Sequence, residues 1–147
     1  MTDGPLVIDA SVLAKIYLKD EEFAPVARAI VDRYVDGSLE LVAPQFILYE
    51  IPSAIQAAVR QRRLDPGTAR QAVQDFFDLR IRTLGDVGTL PTMIQLAYAR
   101  ASQLVTAAET LGYQLVTADR KLYNAIKDRV GYALWIADYE VETDALP

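Results

Sequence analysis

Four short, mainly apolar runs punctuate the chain, and each is joined to the next by segments of helical periodicity. They are Leu6-Val7-Ile8, Leu39 to Ala43, Gln114 to Thr117 and Tyr132 to Ile136. Runs this short, without a polar alternate face, read as strands buried on both sides. A parallel pair of strands needs a long crossover, and a helix supplies it. Strands that alternate with helices therefore predict a parallel sheet covered on both faces. The expected fold is α/β, a three-layer α/β/α sandwich around a parallel sheet of four to five strands. The 147 residues suit one domain.

The helical segments carry their own punctuation. Ala10 to Leu18 follows Asp9 or Ser11 as cap. Glu22 to Val35 stops at Asp36-Gly37-Ser38. Pro44 suits the first turn of a helix bearing Ile47, Ile51, Ile55 and Val59 on one face, which Pro52 is expected to bend. Asp65-Pro66 caps and opens another helix to about Leu79, with Val73, Phe76 and Phe77 expected inside. Arg80 to Leu84 reads as a short edge strand and Gly85 to Thr89 as a loop. Pro91 opens a long uninterrupted helix that Gly112 ends. Arg120 to Lys127 is the last helix.

Composition removes several chemistries. With neither cysteine nor histidine, the chain has no disulfide framework, thiolate zinc site, Ser-His-Asp triad or imidazole ligand. Carboxylates, hydroxyls, amines or a bound cofactor must do the work. The net charge of −5 is unlike that of a general nucleic-acid binder. Much of the acidic excess lies in Asp138, Glu140, Glu142 and Asp144, whereas Arg60, Arg62, Arg63, Arg70, Arg80 and Arg82 fall close together. That basic stretch is either a solvated helical face or a surface for an anionic partner. Phe76 and Phe77 beside it are either core residues or part of such a surface. Apolar runs break before the ~18 residues a membrane span needs. Asp3-Gly4-Pro5 stands where a signal peptide would have a basic region, so a cytoplasmic location is expected.

Ligands of an open parallel sheet bind beyond the carboxyl ends of its strands. Asp9 ends the first strand, and Asp119 follows Leu115-Val116-Thr117. Either could be an ordinary helix cap. Glu50 begins the helix after the second strand, among apolar neighbours, where a carboxylate is costly unless paired or ligating. Lys15 is one basic residue it could pair with. Three converging carboxylates would suit a hard cation such as Mg2+ or Mn2+, which could polarise a phosphodiester.

Val7-Ile8-Asp9-Ala10-Ser11-Val12-Leu13, the stretch Pro44 to Ala54 containing Glu50, and Leu115-Val116-Thr117-Ala118-Asp119-Arg120-Lys121-Leu122 together resemble the PIN domain. The likeness is nearest to VapC-type toxins of bacterial and archaeal toxin–antitoxin systems, and it runs over essentially the whole chain. It implies a five-stranded parallel sheet and a Mg2+- or Mn2+-dependent ribonuclease. It further implies an RNA substrate, a cognate antitoxin and a homodimer. Asp9, Glu50 and Asp119 match family acids that carry the metal and the catalysis. Ser11 and Thr117 would support them, and Lys15, Arg120 and Lys121 would bind substrate. One family acid is absent: the count back from Gly112 puts Ala101 in its place, and Asp86 in the preceding loop is the possible substitute. Ala101 lies in the stripe Ile94, Ala97, Leu104 and Ala108, so an aspartate there is expected to be buried unpaired. A degenerate PIN domain that binds RNA or protein without cutting is the first alternative. A phosphatase or receiver-like domain phosphorylated on Asp9 is the second.

Overall fold

The computed structural model describes residues 4–85 and 93–140. Five parallel strands, β1 (Leu6–Ile8), β2 (Leu41–Pro44), β3 (Arg82–Leu84), β4 (Gln114–Thr117) and β5 (Ala133–Trp135), form one sheet in the order β3-β2-β1-β4-β5. The chain steps outward from β1 to β3, then returns across the sheet to β4 on the other side of β1. The topological switch point therefore lies between β1 and β4.

Helices cover both faces. Helices α1 (Ala10–Leu13), α2 (Ala24–Val35), α3 (Ile47–Arg60) and α4 (Pro66–Asp78) pack on the face that carries Leu6, Ile8, Leu41, Ala43 and Val116. Helices α5 (Met93–Leu111) and α6 (Arg120–Ile126) pack on the face that carries Val7 and Leu115. Successive residues of a strand thus feed opposite cores, as the two-residue period requires. Reversing the direction of travel across the sheet while keeping right-handed crossovers forces α5 and α6 onto the second face. The expected α/β/α sandwich is what is observed.

Local differences from the expected boundaries have identifiable causes. Pro44 ends β2 instead of starting a helix, and α3 begins at Ile47. Gln45 N–H donates to Leu84 O on the β3 side, so position 44 turns towards β1, where proline has no N–H to give. Pairing of β2 with β1 accordingly ends at Val7–Val42, while pairing with β3 runs on to Pro44–Leu84. Helix α3 continues through Pro52. In α4, Ala69, Ala72 and Phe76 face the core, and Val73 is half-buried. Phe77 was expected inside with Phe76, but neighbouring helical positions diverge by about 100°, and Phe77 is 47% exposed. Asp65 caps α4 as expected, and its hydrogen bonds from Thr68 hold its carboxyl below the usual range. Ala10 to Leu18 is shorter than expected: α1 passes into a 3-10 turn over Ala14–Ile16. Asp86 and Pro91 lie outside the described residues. Among the described residues, no helix is long and apolar enough to cross a membrane.

Three helices end in the same way. After α2, α3 and α5 a left-handed residue donates to the carbonyl three back, and its successor donates to the carbonyl five back. Gly37 and Gly112 fill that position after α2 and α5, but Arg62 (φ 58°) fills it after α3. A side chain in this conformation costs about 1–2 kcal/mol, partly offset by the backbone freedom glycine loses on folding. Arg62→Gly should therefore stabilise the protein by about 0.5–1 kcal/mol, raising Tm by about 1–4 °C in a thermal melt. A fall in Tm would contradict this account of the α3 terminus.

Candidate functional site

The carboxyl ends of β2, β1 and β4 are adjacent, and each leads to one of the three acids. Asp9 follows β1 and occupies the N-cap position of α1, yet its carboxylate makes no capping bond. It turns into the crevice at the switch point and is 1% exposed. Ser11 Oγ donates to Asp9 Oδ2 at 2.6 Å, and Thr117 Oγ1 donates to the same oxygen at 2.8 Å. The hydroxyl oxygens in turn accept backbone protons: Ala118 N–H donates to Ser11 Oγ and Asp119 N–H to Thr117 Oγ1, each at 3.0 Å. Two donors on a single oxygen require that oxygen to act as acceptor only. Both hydroxyl protons are thereby committed to Asp9, and the 3.3 Å approach of Ser11 Oγ to Thr117 Oγ1 is a contact between two acceptors. Charge-assisted bonds of this kind are what make a buried carboxylate tolerable.

Asp119 stands one strand away, at the N-cap of α6. Its Oδ1 accepts Leu122 N–H at 3.1 Å, so capping accounts for one of its oxygens. It is half-buried, and its backbone joins the Asp9 network through Thr117. Asp9, Ser11, Thr117 and Asp119 thus form one hydrogen-bonded unit across the β1–β4 seam. Glu50 lies on the other flank, in the first turn of α3, half-buried at the same sheet edge. The donors are all oxygens, as a hard cation needs. Among the described residues, however, no group of three or more acids is placed so as to hold a metal ion. The donor chemistry fits Mg2+ or Mn2+, but the described side chains do not close a three-carboxylate cage.

The basic residues divide. Lys15 is buried, and its Nζ reaches Glu21 at 3.3 Å. The other oxygen of Glu21 accepts from Arg63, which also grips Asp20 through two nitrogens at 2.9 and 3.0 Å. Lys15 therefore serves an ion-pair network that ties the turn after the 3-10 segment to the end of α3. Arg120 and Lys121, the first residues of α6, are exposed at the carboxyl edge. Sequence reasoning missed Trp135, which ends β5: Arg120 lies over its ring, 3.7 Å from the centroid. The signal available was the chain's single tryptophan at the end of a strand.

At the level of α5, Ala101 is half-buried beside the cluster of Val7, Leu104, Ala108 and Leu115. From Ala101 to Leu111 the helix rises about 15 Å, and β4 climbs about 10 Å in return from Gln114 to Thr117. Ala101 therefore lies towards the carboxyl end of the sheet, on the face opposite α1 and α3.

No family model matches the sequence, and no curated protein matches it. The likeness to PIN domains accordingly rests on the three sequence motifs alone.

Proposed function

We propose that this chain is a Mg2+- or Mn2+-dependent ribonuclease of PIN type, the toxin of a toxin–antitoxin pair. The observation that carries the reading is Asp9: a carboxylate buried at the switch point, held on one oxygen by two hydroxyls, in a cap position it does not use for capping. A helix start does not require that arrangement, whereas a preorganised site for a cation or reacting group does. With this reading come an RNA substrate, a cognate antitoxin, a homodimer and a cytoplasmic location. The experiment is cleavage of single-stranded RNA by the full chain, with and without Mn2+. No metal-dependent cleavage would overturn the reading.

Metal binding can be tested before any substrate is known. Asp119→Asn should weaken Mn2+ binding about tenfold in calorimetry, the low end for losing a group that supports a metal. Its fold should persist, because asparagine caps a helix about as well as aspartate. Unchanged affinity would remove Asp119 from the ligand set.

A second reading, a PIN-like module that binds RNA or protein without cutting, is favoured by the unbroken α5 with Ala101 at the place of a family acid. Ala101→Asp separates the two. Ala101 is half-buried against the Val7 and Leu115 cluster, and a gain in Mn2+ affinity with a retained Tm would mark a site short of one ligand. A large fall in Tm with no gain in affinity would mean that position 101 belongs to the core.

A further inference from the structure

We infer that Arg120, seated on Trp135 beside Asp119, is the receptor for a backbone phosphodiester of single-stranded RNA. The inference rests on the ribonuclease reading for its substrate class and on independent geometry for its site. The guanidinium carbon lies over the Trp135 ring, 3.7 Å from its centroid, in cation–π contact. Its N–H donors lie in the guanidinium plane, and the residue is exposed at the carboxyl edge. Among the described residues, Arg120 has no hydrogen bond or ion pair with a protein acceptor. Arg28, Arg33, Arg63 and Arg82 each donate to one: Ile16 O, Tyr139 Oη, the Asp20 and Glu21 carboxylates, and Glu40 respectively.

The seat itself is held in place. Trp135 is 8% exposed, with Phe23 packed edge-on at 5.9 Å and Tyr123 tilted against it at 5.7 Å. Phe23 adopts a left-handed backbone (φ 64°), an uncommon conformation for a bulky residue, and its ring is the one packed on the indole. An exposed arginine ordinarily loses much rotamer freedom when it binds. Here stacking has already restricted the guanidinium, so less entropy remains to be lost. A planar fork with paired donors matches the geometry of a phosphate, and Lys121 adds a second positive charge next in sequence. Aromatic rings interleaved with cations at a sheet edge are also the composition of single-strand binding surfaces.

The chain has one tryptophan, so its fluorescence reports on the Arg120 seat alone. The full-length protein in EDTA would be titrated with a short labelled oligouridylate, following anisotropy and Trp135 emission at several salt concentrations. Wild type should bind saturably with a change in emission. Arg120→Gln should bind about tenfold more weakly and lose about 0.7 from the salt slope, the share of one single-strand phosphate. Arg120→Lys should keep the slope, because the charge remains.

No saturable binding by wild type, or an unchanged affinity and slope in Arg120→Gln, overturns the inference. Equal affinity for inorganic phosphate overturns the strand assignment, and tighter binding of polyglutamate overturns RNA in favour of an acidic protein. Cleavage in Mn2+ is scored separately. Metal-free binding that depends on Arg120, without cleavage, defeats the ribonuclease reading and leaves this one standing. Cleavage with undiminished binding by Arg120→Gln defeats this one alone.

Discussion

Asp9→Asn should reduce metal-dependent RNA cleavage by at least about 100-fold, the upper end for disturbing a metal-supporting group, while leaving the protein folded. The amide oxygen can take the place of Oδ2 and accept from both Ser11 and Thr117. What it cannot supply is the negative charge. A cation that depends on carboxylates loses one of them, and its binding should weaken in parallel. The assay is cleavage of a quenched single-stranded RNA with increasing Mn2+, alongside a thermal melt of the same preparation. Cleavage at the wild-type rate by a folded Asp9→Asn protein would show that the buried carboxylate has no part in the chemistry.

Thr117→Val should have the largest effect on stability. Thr117 is 0% exposed, and valine matches its shape, so the change removes a hydroxyl without opening a cavity. That hydroxyl donates to Asp9 and accepts from Asp119 N–H. Losing a bond to a charged acceptor costs about 1.5–3 kcal/mol, and a backbone donor left unpaired adds to this. A total of about 2–4 kcal/mol should lower Tm by about 4–16 °C. Thr117→Ser, which keeps the hydroxyl, should recover most of the loss. A Thr117→Val protein that melts within a degree of wild type would mean that water or a shifted Ser11 replaces the bond.

The sequence made the strands legible where periodicity and burial agree. Leu6-Val7-Ile8 and Gln114 to Thr117 are strands with the expected limits, and the acids that follow them stand at the expected edge. Local rules failed where a tertiary neighbour decides. Pro44 satisfies the preference for a helix start, but its missing donor faces the end of β1, and that is not written locally. Phe77 looks like a core residue by type, yet the stripe of Ala69, Ala72 and Phe76 had already fixed which side of α4 is inside. The strand-end acids could be listed from sequence, but the direction of their hydrogen bonds could not. Asp9 and Asp119 both hold N-cap positions, and only the fold reveals that Asp119 caps through its side chain and Asp9 does not. Arg120 likewise reads as one more surface cation until β5 brings Trp135 beneath it.

The bond from Thr117 to Asp9 spans 108 residues of chain. Central strand β1 is the first to be synthesised, yet its neighbour on the β4 side arrives only after β2, β3 and α5. Contacts of such wide sequence separation form late, because the loop-closure entropy must be met before they return any stabilisation. A growing chain that has completed β1 to β3 has Asp9 but neither of the β4-side groups that orient it. The unit around Asp9 is thus absent from every partial product that lacks β4, and it comes into being only after Thr117 and Asp119 have been made.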